Sequence, residues 1–193
     1  MHCKPSTLSP ERATEHRQGC NSCLHKNNQK NPEGVTEQII QNMASTLVKI
    51  DIHLIFHIKS QGVKMRENDL ERIHAYLGGI INNLGGIPII VGGIDDHVHI
   101  LTSLPKTRAL ADFVRVLKAD SSKWMKQIDR HYSHFAWQEG YGAFSVSPSL
   151  IEKTTNYIRN QAEHHKKRTF RDEYKMFLEA YGIQYDERFA IEE

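Results

Sequence analysis

Cysteine is almost missing from this chain. It has three in 193 residues, Cys3, Cys20 and Cys23, and none beyond position 23. That scarcity excludes a disulfide-built secreted scaffold and points to a reducing, cytoplasmic setting. Long apolar runs are also lacking. No stretch approaches the ~20 residues that span a bilayer, and the polar N-terminus has no apolar segment resembling a secretory signal, so no membrane association is expected. Nor is there a strong charge of either sign: the net charge is +2 and the pI about 8.4. A nucleic-acid partner would therefore have to be met by local basic patches. What the chain has in quantity is histidine, twelve in all, the commonest metal ligand and a group that titrates near neutrality.

Two regions read differently. Residues 1–42 are rich in Asn, Gln, Glu, Lys and His without a sustained apolar period, and read as a solvated, unstructured arm or as sequence upstream of a natural start at Met43. Within it, His16, Cys20, Cys23 and His25 have the residue types of a zinc site, but their spacing is too compressed for the common finger patterns. Residues 43–193 read as one domain. From Val48 to Lys59 apolar and mostly polar residues alternate, which predicts a strand with one buried face. A helix follows from an Asn68 N-cap with Glu71 three residues on, through Leu70, Ile73, Leu77, Ile80, Ile81 and Leu84, to Gly85-Gly86. Ile87–Val91 and His97–Leu101 read as strands, and Leu110 to Ile128 as a second amphipathic helix. The aromatic and glycine-rich segment 136–147 reads as extended. A third helix is expected from Ser147-Pro148-Ser149, capped by Ser149 and Glu152, to about His165. Phe170, Tyr174, Phe177, Leu178, Tyr181 and Ile183 then form a helical apolar stripe that packs on the core or on a partner copy. This order predicts an α+β fold, a ferredoxin- or RRM-like antiparallel sheet with helices on one face and the other face free for a ligand.

Chemistry concentrates in two motifs. In His97-Val98-His99 the imidazoles stand two apart on a strand, so both project to one side while Val98 packs on the other. Alone, the pattern is also that of two ordinary strand histidines. In the third helix Tyr157 and Gln161 lie four apart, hence on one face. Tyr157 could be a half-buried core tyrosine, but its neighbours Gln161, His164 and His165 are polar. A phenol beside an oxygen ligand suits a nucleophile assisted by a divalent ion.

The segments 92–101 (GGIDDHVHIL), 137–147 (WQEGYGAFSVS) and 157–161 (YIRNQ) closely resemble the single-tyrosine transposases of the histidine-hydrophobic-histidine (HUH endonuclease) class. These are encoded by insertion sequences of the "two-hundred" type and related to the REP-associated tyrosine transposases. The resemblance covers residues 46–189, with the motifs in the family's order and spacing; the long N-terminal arm is the departure. It implies that His97, His99 and Gln161 hold Mg2+, or Mn2+ in its place. It implies that Tyr157 attacks the scissile phosphate to give a 5′-phosphotyrosine and a free 3′-hydroxyl. The implied substrate is single-stranded DNA with hairpin ends of a mobile element, and the implied assembly a homodimer in which the tyrosine serves its own or the other subunit's site. Arg115, Lys118, Lys123, Lys126 and Arg130 on the second helix, and Arg159, Lys166, Lys167 and Arg168 near the third, are candidates for phosphate contacts or simply solvated faces. Tyr141 and Phe144 are candidates for base stacking, whereas Trp137 could be core. Two rival readings stand beside this one. One is a non-catalytic single-strand-binding module. The other is a metal phosphohydrolase, for which a third histidine is missing because residue 101 is Leu.

Overall fold

The computed structural model describes residues 46–185; the 1–42 arm, with His16, Cys20, Cys23 and His25, lies outside them. The elements are β1 (Asp51–His57), α1 (Glu67–Asn83), β2 (Ile87–Gly93), β3 (His97–Ser103), α2 (Leu110–Ile128), β4 (Gly142–Val146), α3 (Ile151–Arg159), α4 (Gln161–His165) and α5 (Phe170–Ala180). The four strands form one antiparallel sheet in the order β2-β3-β1-β4. The expected α+β antiparallel fold is present. Among the described residues, no helix is long and apolar enough to cross a membrane.

Strand β1 lies between β3 and β4. Its even residues Ile52, Leu54 and Phe56, with Val98 and Ile100 of β3, meet Ile73, Leu77 and Ile81 of α1 and Phe113, Leu117 and Met125 of α2 in the main core. Full burial of such side chains is worth ~1.5–3 kcal/mol each, so this face anchors the sheet. The helices add their own contact, with the rings of Tyr76 and Trp124 stacked at 4.0 Å. Trp137 is also core: its ring meets Phe56 and Phe135, and its Nε1 donates to Ser121 Oγ at 2.9 Å.

The opposite face departs from expectation. It is covered, not free. Phe170, Tyr174, Phe177 and Leu178 of α5 pack on Ile55 of β1 and Phe144 of β4. A row of strand residues that includes Asp51, His53 and His57 reads as a wet face, yet Phe177 and Phe170 of α5 pack on His53 and His57. Phe144 is buried there, stacked on Phe177 at 5.3 Å, which removes it as an exposed base platform; Tyr141 is exposed.

Helix boundaries shift where tertiary contacts override local caps. The N-cap of α1 is Arg66, not Asn68, and no side chain caps it. The backbone N–H of Arg66 donates to the Tyr132 hydroxyl, and its guanidinium pairs with Asp69 and Asp129. These ties set the start two residues early. The other end follows expectation: Gly85 has φ +83° and Gly86 N–H reaches Ile81 O at 3.0 Å. Ser149 does not form its capping box, because its hydroxyl pairs with that of Ser147 and residues 148–150 form a 3-10 turn before α3. The expected single third helix is broken at Asn160, whose N–H reaches both Asn156 O and Tyr157 O and whose amide donates to Asn156 O. Tyr157 ends up on α3 and Gln161 opens α4.

Candidate active site

The alternation of β3 turns Val98 into the main core and His97 and His99 to the α5 side, all three fully buried. In the antiparallel register His57 stands opposite His97 and His53 opposite Leu101. Each motif histidine is oriented by its Nδ1. His97 Nδ1 meets Asp96 Oδ1 at 2.6 Å, and His99 Nδ1 meets His53 Nε2 at 2.9 Å. With Nδ1 as the donor in both pairs, each Nε2 carries a free lone pair, the arrangement that prepares an imidazole as a metal ligand. The Nε2 atoms of His97 and His99 are buried without a hydrogen-bond partner, and so is Gln161 Oε1. Three orphaned acceptors of this kind are costly unless something positive satisfies them. The donor set fits a divalent ion.

The tyrosine helix rests on β2 and β3. It approaches closely because Gly92, paired with His99, has no side chain: a Cβ there would lie 2.8 Å from Ile158 Cγ2 and 2.9 Å from Ile158 O. Ile158 is buried against Leu101 and Val146. That contact brings the preceding residue, Tyr157, to 6.0 Å from His99 between ring centres, with His164 stacked on its other side at 4.8 Å. Both motifs therefore meet within one chain.

One residue joins them that the sequence reading left out, Glu173 of α5. Its Oε1 accepts from the Tyr157 hydroxyl and from Gln161 Nε2, the latter at 2.9 Å. Its Oε2 is 3.1 Å from His165 Nε2, 3.3 Å from His99 Nε2 and 3.9 Å from His97 Nε2. Candidate ligand atoms of His97, His99, His165 and Glu173 all lie within 4.8 Å of one another. Helix α5 is held in place at its start, where Thr169 Oγ1 accepts from the Asp172 N–H.

The electrostatics follow from burial and from this carboxylate. Burial pushes His99 down to about 4, only partly countered by Glu173, and lowers His53 and His57 as well, so these imidazoles are neutral and ligand-ready at pH 7. Burial also disfavours ionised Glu173, but contacts with His165, His99 and Tyr157 outweigh it and keep the carboxyl well below its usual range. Desolvation lowers His165, but Glu173, Asp96 and the Arg168 backbone together outweigh it and raise it. Burial, then Glu173, raises the Tyr157 phenol well above its ordinary value, so it is protonated here.

The basic candidates divide by placement. Lys123, Lys126, Arg130, Lys167 and Arg168 are exposed. Arg115 pairs with Asp112, Arg159 with Asn156 and Lys166 with Glu163, all at the surface. Lys118 turns inward: its Nζ donates to Gln138 O and Gly140 O and lies over the Phe56 ring, and burial lowers it to about 8. Two clefts flank α5. One of about 370 Å3 reaches His53, Tyr157 and Tyr181, and one of about 390 Å3 reaches His57, Asp96 and Arg171.

Comparison with known proteins places the chain in a family. The family model described as "Transposase IS200 like" matches residues 46–161 and so includes both motifs. No curated protein matches. Among solved structures, a candidate transposase from Deinococcus radiodurans R1 is similar at 23% identity, covering 61% of this chain and 95% of that one, with a TM-score of 0.49. A REP-associated tyrosine transposase bound to a REP hairpin is similar at 11% identity, covering 78% of this chain and 92% of that one, with a TM-score of 0.47. The family model spans more than half of the sequence, and the chain belongs to the IS200-like transposase family.

Proposed function

We propose that this transposase cleaves and rejoins single-stranded DNA with Tyr157 as its nucleophile and a divalent ion at His97, His99 and Gln161. The observation that carries the reading is the meeting of the Tyr157 hydroxyl and the histidine Nε2 atoms on one buried carboxylate, beside three buried acceptors without partners. Magnesium, or manganese in its place, would supply charge stabilisation to the scissile phosphate when bound. Tyr157 Oη forms a new bond to phosphorus as the bond to the 3′-oxygen breaks, leaving a 5′-phosphotyrosine and a free 3′-hydroxyl. Attack by a 3′-hydroxyl on that intermediate reverses the step and joins strands, so no nucleotide cofactor is needed.

The chain's own groups do the positioning. Asp96 and His53 fix the two imidazoles, and Ile158 against Gly92 fixes the distance from Tyr157 to β3. Glu173 Oε1 accepts the phenol hydrogen bond. The two clefts beside α5 are the routes by which a strand reaches the site, and the substrate is hairpin-bearing single-stranded DNA. Lys123, Lys126, Arg130 and Lys167 are open to phosphates. Arg115, Arg159 and Lys166 hold exposed partners that are exchanged at little cost. Lys118 is the least available of the set. Residues 43–193 form the catalytic domain, which acts as a homodimer in the cytoplasm, and residues 1–42 are a polar arm outside it.

Incubation with labelled hairpin single-stranded DNA and Mg2+ is expected to give a covalent adduct that survives SDS. Tyr157→Phe, His97→Ala and chelator each abolish it. An adduct that persists in Tyr157→Phe rules out this nucleophile. DNA bound without an adduct under any divalent ion supports a binding module, and product without an adduct a phosphohydrolase.

A further inference from the structure

The donors His97 Nε2, His99 Nε2 and Gln161 Oε1 are all neutral, and a buried divalent cation held by them alone has no charge to balance it. Such burial is strongly unfavourable without an anionic partner. The carboxylate of Glu173, itself buried, stands beside the two imidazoles and accepts from the Gln161 amide Nε2 at 2.9 Å. With Nδ1 of each histidine serving as donor, the facing Nε2 atoms present lone pairs to Glu173 Oε2 at 3.3 and 3.9 Å. Acceptors crowded on acceptors repel unless a cation lies between them. The spacing suits one: neighbouring ligands of an octahedral Mg2+ stand about 3.0 Å apart and opposite ones about 4.2 Å, given bonds of about 2.1 Å.

We propose that Glu173 is the anionic protein ligand of the ion, binding it through Oε2 in the DNA-free protein while Oε1 holds Tyr157 and Gln161. The inference rests on the metal reading of His97 and His99 made above. It assigns the C-terminal helix α5 a share of the metal centre: without that helix the site has two imidazoles and an amide and no charge. His165, 3.1 Å from the same oxygen, positions the carboxylate.

The test is Mn2+ titration of the full chain without DNA, by calorimetry, with bound waters counted by water-proton relaxation. Glu173→Gln keeps the shape and removes the charge. It is expected to weaken Mn2+ at least 10-fold and to add about one water to any ion that still binds. Mn2+ affinity in Glu173→Gln that equals or exceeds that of the wild type, while His97→Ala binds poorly, overturns the assignment of Glu173 and leaves the metal site intact. Wild-type affinity in His97→Ala instead sinks the metal reading itself. Circular dichroism and metal-free melting establish that each variant is folded. Should Glu173→Gln not fold, Glu173→Asp carries the test: the shorter carboxylate is expected to lose at least 3-fold in Mn2+ affinity, and unchanged affinity overturns the proposal.

Discussion

Gly92→Ala should damage strand cleavage far more than stability. Gly92 sits directly across the sheet from His99, and the missing side chain is the space into which the tyrosine helix presses. A Cβ at this position lies 2.8 Å from Ile158 Cγ2 and 2.9 Å from Ile158 O, whereas ordinary contact begins at 3.4 Å. The side chain can turn away, but the carbonyl belongs to the helix backbone, so the helix must retreat by about 0.5 Å or tilt. Tyr157 is the preceding residue and moves with it, away from His99. Overpacking of this kind costs ~1–3 kcal/mol of stability. A misplacement approaching 1 Å at a reacting group costs up to ~100-fold in rate, so a 10- to 100-fold slower adduct rate is expected. The assay is single-turnover adduct formation on hairpin DNA, with Mn2+ affinity and melting followed in parallel. Mn2+ affinity should hold within a few-fold, since His97, His99 and Glu173 stay in place and only Gln161 shares the displacement. Gly79→Ala is the control: a Cβ there meets nothing within 4 Å, and alanine should raise helix stability by ~1 kcal/mol. A wild-type adduct rate in a folded Gly92→Ala protein would refute the reasoning.

Three other outcomes follow from the same geometry. Asp96→Asn should weaken Mn2+ by about 10-fold or more by taking the charge from the 2.6 Å hydrogen bond that orients His97; titration calorimetry measures it, and unchanged affinity would show that the Asp96 charge does not set the ring. The metal-free protein should lose stability in acid partly through His74, whose buried imidazole is pushed down to about 4 by desolvation. The unfolded state takes up that proton from about pH 6.5 and the folded state only near pH 4, so this stability is present above pH 6.5 and falls away below it, by at most about 3 kcal/mol. Urea melts of His74→Phe should show a shallower decline across that window, and parallel acid limbs would exclude the assignment. Finally, His97 and His99 are wholly buried beneath α5, so a phosphodiester arriving through the flanking clefts should reach them only as that helix yields. Hydrogen exchange in residues 170–180 should rise when hairpin DNA binds, and protection that stays constant in a cleaving complex would mean that the strand enters through the clefts alone.

The placement of the candidate site residues was legible because strand and helix periodicities fix relative direction. His97 and His99 share a face by the two-residue repeat, and Tyr157 and Gln161 remain neighbours even though Asn160 breaks the helix between them. Local chemistry was a poorer guide to boundaries. Asn68 and Ser149 are good caps by type, but Arg66 is tied to Tyr132, Asp69 and Asp129, and Ser149 to Ser147. Lys118 belongs to the same lesson, since its place on the polar side of α2 does not disclose the two carbonyls it meets on the 138–140 loop.

Glu173 was out of reach for a deeper reason. In an amphipathic helix an acid three residues after Phe170 and one before Tyr174 reads as a solvated side chain at the edge of the apolar stripe. Only the docking of that stripe on Ile55 and Phe144 turns the carboxylate inward, onto atoms whose own direction is set by strands far away in sequence. The one hint was on β1, where His53 and His57 occupy the same face as Ile55. Two histidines on a strand face next to His97 and His99 make a largely polar patch expensive to roof with phenylalanines, unless a charged group closes the roof. The burial of four imidazoles beneath α5 is therefore the physical reason that this helix carries an acid at position 173.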